Sequence, residues 1–180
     1  MLQKSPQMTA LIQAAQAGSR EDFARLVELH YDQMFRFALK YLGDRTSAED
    51  VTQQACIKLA GSIGQFRFDA AFSSWLYRLV INCAKDQLKA RHIRREEALT
   101  HAGDQDLSSA GNPAEHEKQL EQTLGEIDRL GEGYRDAVVL VLGEGLTHAE
   151  AGKALGIAES TVSWRIHEVR KHLGGSREDA

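Results

Sequence analysis

Apolar residues recur along this chain at spacings of three and four. The longest series is Phe23, Leu26, Val27, Met34, Phe35, Ala38, Leu39 and Leu42. That period places side chains on one face of an α-helix. Ser19 stands before the series as an N-cap, with Asp22 three residues on, and Gly43 closes it. A shorter alanine-rich helix, Met8 to Ala17, precedes it and stops at Gly18. Thr46 and Glu49 have capping-box spacing for a third helix, expected to run to about Ala60 before Gly61 and Gly64 break it. A loop, Gln65 to Asp69, leads into a fourth helix whose apolar face is Phe72, Trp75, Leu76, Leu79, Val80, Cys83 and Leu88. The second half repeats the style in shorter pieces: Ala114 to Arg129, Tyr134 to Leu142, a capping box at Thr147 and Glu150, and a last helix carrying Val162, Ile166, Val169 and Leu173. No segment alternates with period two, so an all-α fold without a sheet is expected.

Charge divides the chain. The net charge of −4 conceals +5 over residues 1–95, −7 over 96–131 and −2 over 132–180. Glu96 to Glu117 also holds Gly103, Ser108, Ser109, Gly111 and Pro113, a linker composition. The expected organisation is two small helical domains, 1–95 and 118–180, joined by a flexible acidic linker over 96–117.

The remaining composition mainly excludes. Hydrophobic residues at 42% and charged residues at 27% describe an ordinary soluble chain. No apolar run approaches the roughly 18 residues of a membrane span, and the first ten residues lack the order of a secretory signal. Two cysteines, Cys56 and Cys83, make neither a disulfide framework nor a four-cysteine zinc site. A cytoplasmic protein is expected. The seven histidines are scattered and no glycine-rich phosphate loop is present, so no enzyme activity, cofactor or metal is expected.

Two segments carry candidate chemistry. Leu146 to Arg165 has helix-turn-helix spacing: small Ala151 and Gly152 at the helix crossing, Gly156 for a left-handed turn residue, and Ile157 and Val162 as anchors. With Val162, Ile166 and Val169 inward, Ser160, Ser163, Trp164 and His167 face a major groove, beside Thr161. Arg165, Arg170 and Lys171 flank that face, and Arg165 is the best candidate for a bidentate contact. In the first half, aromatic and basic residues interleave from Phe66 to Arg95. Aromatic faces stack on unpaired bases while cations follow the phosphates, a composition suited to single-stranded nucleic acid.

Residues 19–95 resemble region 2 of the sigma-70 family of bacterial RNA polymerase initiation factors, and residues 132–173 resemble its region 4. Ser47 to Gln54 is similar to the family's acidic clamp-binding motif. Phe72 to Leu79, with Asn82 and Asp86, is similar to its promoter-melting helix. The direct order of the two regions matches the extracytoplasmic-function (ECF) subgroup. The resemblance implies that Glu49, Asp50, Gln53 and Gln54 bind core polymerase. It implies minus-10 contacts by Phe66, Arg67, Phe68, Asp69, Trp75, Arg78, Asn82, Lys85, Asp86, Lys89 and Arg91, with Phe66 or Phe68 stacking on an unpaired base. The helix-turn-helix would read the minus-35 element. The implied partners are the beta' clamp and beta flap of core polymerase, promoter DNA, and an anti-sigma factor or a Ser/Thr kinase as regulator. Ser47 and Gln54 stand where the family usually has acids, Thr52 where it often has a bulky aliphatic residue, and Gly131 where a proline is frequent. A phosphate on Thr52 would add roughly −1.5 to −2 charges to the depleted motif, with Ser47 and Thr46 as alternative acceptors.

The competing reading is a LuxR-type helix-turn-helix regulator that binds duplex DNA only. Such a reader has no use for the aromatic-basic segment 66–95.

Overall fold

The computed structural model describes residues 6–101 and 115–175, with side chains over 6–94 and 118–174. The described residues form eight α-helices and no strand: α1 Pro6–Gln16, α2 Arg20–Leu42, α3 Arg45–Ser62, α4 Phe72–His101, α5 Glu115–Arg129, α6 Tyr134–Val138, α7 His148–Leu155 and α8 Glu159–Gly175. A 3₁₀ turn, Ile63–Gln65, follows α3. Helices α4 and α5 take residues 96–101 and 115–117 from the expected linker, whose interior, 102–114, lies outside the described residues.

Helix starts and stops follow local chemistry. The Ser19 side chain accepts the Asp22 N–H at the start of α2. Gly43 ends that helix at φ 83° and returns its N–H to the Leu39 carbonyl. A side chain there would also meet the α5 backbone, since a Cβ would stand 3.3 Å from the Glu121 Cα. The expected Thr46–Glu49 capping box does not form. Asp44 caps α3 instead, accepting the Ser47 N–H at 2.7 Å, and Glu49 pairs with Arg45 at 2.9 Å. The chain turns sharply after Gly43, so the first side chain able to reach the free N–H groups is that of Asp44.

The expected helix over Tyr134–Leu142 is α-helical only to Val138. Val139–Gly143 widens into a π turn, with the Glu144 N–H reaching the Val139 carbonyl at 2.9 Å. The extra residue per turn swings Glu144 toward α2 and α4.

The two halves share one core. Leu26, Phe37, Val51, Leu76 and Val80 from the first half belong to the same buried cluster as Leu124, Leu140, Ala151, Val162 and Ile166 from the second. Polar contacts stitch the seam. Asp136 accepts from the Tyr41 hydroxyl at 2.7 Å and pairs with Lys85 at 2.6 Å. Glu144 pairs with Lys40 at 2.8 Å and accepts from the Tyr77 hydroxyl at 2.7 Å. Arg135, tied to Asp128, donates to the Tyr41 carbonyl at 2.7 Å. Burial, reinforced by the facing carboxylates, pushes both tyrosine hydroxyls well above their ordinary pKa of 10, so each stays a donor.

Candidate nucleic-acid interface

Helix α3 turns Val51, Thr52, Ala55 and Leu59 into the core. Glu49, half-buried, and Asp50, Gln53 and Gln54, exposed, remain on the outside. Ile57 continues this strip, 74% exposed and three or four residues beyond the glutamines. The sequence reading missed it, although its spacing from Gln53 and Gln54 is the signal that finds it.

Thr52 does not fit the role expected of it. Its side chain is fully buried and its hydroxyl donates to the Ala48 carbonyl at 2.7 Å. A kinase has no access to that oxygen, and a phosphate has no room or counter-charge there. Ser47 is also buried, beside Asp44 and Arg91. Of the three hydroxyls, Thr46 alone faces solvent.

The loop before α4 separates its two phenylalanines. Phe66 is buried, with its ring 5.1 Å from Phe72 and 5.6 Å from Trp75, and its carbonyl accepts from Gln16 at 2.8 Å. This corrects the expectation that Phe66 is free to stack on a base: it holds the loop down. Phe68 is the outward ring, 40% exposed and 4.8 Å from Phe66. Its backbone sits at φ 62°, a conformation a bulky residue adopts only under local constraint. Arg67 and Asp69 flank it, exposed.

A groove of about 570 Å³ opens between the end of α3 and α4, with Lys58, Gln65, Trp75, Arg78 and Asn82 on its walls. Asn82 and Asp86 share the outward face, as their i, i+4 spacing requires, and Asp86 pairs with Lys58 at 2.8 Å. Lys89 is exposed beyond them, whereas Arg91, also exposed, pairs with Asp44 at 3.2 Å at the start of α3. Lys85 departs from this set. Expected at a phosphate, it points the other way and is committed to Asp136.

In the second half both halves of the Thr147 capping box form, and the Thr147 backbone N–H holds the Glu150 carboxyl below its usual pKa. Gly152 allows the crossing, because a Cβ there would lie 2.9 Å from the Ile157 carbonyl oxygen. Val162, Ile166 and Val169 bury one side of α8. Ser160, Trp164, His167, Arg170 and Lys171 are exposed, and Thr161 and Ser163 half-buried. His148 Nδ1 lies 2.8 Å from the Ser163 hydroxyl. Arg165 is the correction here. It is half-buried and donates to the Gly133 carbonyl at 3.2 Å, bracing α8 against the turn before α6 rather than reaching outward.

The family description "Sigma-70 region 2" matches residues 26–94, and "Sigma-70, region 4" matches residues 120–173. The chain belongs to the sigma-70 family. Its relatives place it in the ECF group. It is 34% identical over 151 residues to the ECF RNA polymerase sigma factor SigE of Mycolicibacterium smegmatis, covering 82% of this chain and 58% of that one. It is 32% identical over 173 residues to the RNA polymerase sigma-H factor of Pseudomonas aeruginosa, covering 91% of this chain and 90% of that one. Among solved structures, the fold is similar to CnrH in its complex with the cytosolic domain of CnrY, with a TM-score of 0.68, 24% identity and coverage of 94% of this chain and 96% of that one. A region 2 over residues 26–94 disfavours the LuxR-type alternative. No helix among the described residues of this sigma factor is long and apolar enough to cross a membrane.

Sequence reasoning missed the seam. Lys40, Tyr41, Tyr77, Lys85, Asp136 and Glu144 join region 2 to region 4 across 51 to 104 residues of chain. Single acids in a short apolar stretch carry no periodic signal that would reveal such partners.

Proposed function

We propose that this ECF sigma factor delivers core RNA polymerase to promoters through three surfaces. The α3 strip of Glu49, Asp50, Gln53, Gln54 and Ile57 binds the polymerase clamp. Phe68 and the groove at Trp75, Arg78 and Asn82 hold an unpaired base of the minus-10 element, while Lys89 meets a phosphate and Arg91 joins it on leaving Asp44. Helix α8 reads the minus-35 duplex. The observation that carries this reading is an outward aromatic beside a basic groove on region 2, on the same chain as an exposed recognition helix. A duplex reader needs only the second.

The packed arrangement is the resting form in this reading. Lys85 and Tyr77 are held by Asp136 and Glu144, so Lys85 reaches DNA only when region 4 lifts away. Regulation by a protein partner of the anti-sigma kind fits the fold better than phosphorylation of Thr52, because that hydroxyl is enclosed. A kinase acting on the motif is restricted to Thr46.

The test is binding of the chain with core polymerase to promoter DNA that is fully paired or already unpaired over the minus-10 element. Tighter binding to the unpaired form supports the reading. Equal binding to both, with core polymerase adding nothing, refutes it.

A further inference from the structure

Helix α8 presents one outward stripe: Ser160, Trp164, His167 and Lys171, at spacings of four, three and four. All four are exposed. Trp164 is 55% exposed, although a tryptophan ring is normally mostly buried. Tyr134 from α6 supports one side of it, with ring centroids 5.7 Å apart and planes inclined at 53°. Two polar groups beside the stripe are occupied. Arg165 is drawn back to the Gly133 carbonyl, and the Ser163 hydroxyl faces His148. Compared with Ser160, His167 and Lys171, the indole is the largest group of the stripe and its apolar one.

A duplex major groove offers donors and acceptors at every base pair but one apolar feature, the 5-methyl group of thymine. An indole face has nothing to gain from an acceptor and can bury a methyl group. Charge along α8 suits a nucleic acid beyond its first turn: Arg165, Arg170 and Lys171 oppose Glu168 there, with Glu159 at the start of the helix. Arg170 and Lys171 are exposed where they can follow phosphates.

We propose that Trp164 is a specificity-determining residue that reads a thymine through its methyl group, with Tyr134 holding the ring in position. This rests on the promoter-binding reading above and names what α8 recognises.

The experiment uses the full chain bound to core polymerase. Duplexes are selected from a random library, and each thymine in the part bound by region 4 is then replaced singly by uracil, which removes only the methyl group. The selected duplexes should share a thymine at one position. Its replacement should weaken binding about four-fold, the worth of one buried methyl group. Trp164→Ala should bind the thymine duplex more weakly, by about ten-fold, and should no longer distinguish thymine from uracil. Trp164→Phe should retain part of the distinction. Selection by the Trp164→Ala chain should lose the shared thymine. A specific duplex whose affinity ignores every methyl group, or a four-fold methyl effect that persists in Trp164→Ala, overturns the proposal and leaves the promoter reading standing. Unchanged DNA affinity in Trp164→Ala overturns it in favour of a protein surface on the indole. Selection of no specific duplex overturns the promoter reading itself, and this proposal with it.

Discussion

Replacing Asp136 with asparagine should loosen the seam between regions 2 and 4 without unfolding either. The Asp136 side chain is 6% exposed and that of Lys85 is 29% exposed, with their charged atoms 2.6 Å apart. Breaking a fully buried ion pair costs about 3–5 kcal/mol. Water reaches the Lys85 ammonium once it is released, so about 2 kcal/mol is the fitting figure. Asparagine keeps an oxygen to accept from the Tyr41 hydroxyl, while its NH2 group replaces the oxygen that faces Lys85 and offers the ammonium no acceptor. About 2 kcal/mol is a factor of about 30 in the opening equilibrium. Hydrogen exchange measures that equilibrium locally. Amides of α6 and the following π turn, such as Ala137 and Glu144, should lose about 30-fold protection, while those of α2 and α3 inside region 2 keep theirs. Glu132→Gln is the control: Glu132 lies 4.0 Å from Lys85 but is 88% exposed, and its loss should change protection little. Equal effects of the two substitutions, or unchanged protection in Asp136→Asn, would refute the assignment of the seam to the Lys85–Asp136 pair.

Phe66→Ala should lower stability by about 3–4 kcal/mol in denaturant titration, whereas Phe68→Ala should leave stability nearly intact and cost about 1–3 kcal/mol in binding to pre-melted promoter DNA. Thr52→Glu should lower the melting temperature and fail to raise affinity for core polymerase, because it forces a charge into the site where the hydroxyl now meets the Ala48 carbonyl. Burial holds the His30 pKa below its ordinary 6.5, and its Nε2 has no partner. The unfolded chain therefore takes up the proton first, so the His30 contribution to stability is present above about pH 6.5 and is lost as pH falls through the folded pKa. His30→Gln should flatten this part of a melting-temperature profile taken from pH 7.5 to 5.

Local chemistry was legible in the sequence where one residue type dominates a position. Ser19, the Thr147–Glu150 box and Gly156 set helix ends that no distant contact needs to decide. The capping of α3 was not, because Asp44 and Thr46 both suit an N-cap and the turn after Gly43 chooses between them. Phe66 and Phe68 are chemically identical in sequence. The difference lies in Gln16, fifty residues away, which holds the Phe66 carbonyl. Thr52 read as a surface hydroxyl in a polar motif, yet the helical face shared with Ala48, Val51 and Ala55 turns it inward. Arg165 lost its expected reach to a backbone carbonyl 32 residues away, a contact invisible to any pattern.

A sigma factor of this kind should give core polymerase its choice of start site. The most direct measurement is transcription from genomic fragments by core polymerase of the same organism, with and without the chain, read by sequencing transcript 5′ ends. Start sites that appear only with both components, and that share two sequence elements at a fixed spacing, are the expected result. Identical start sites with and without the chain would contradict it.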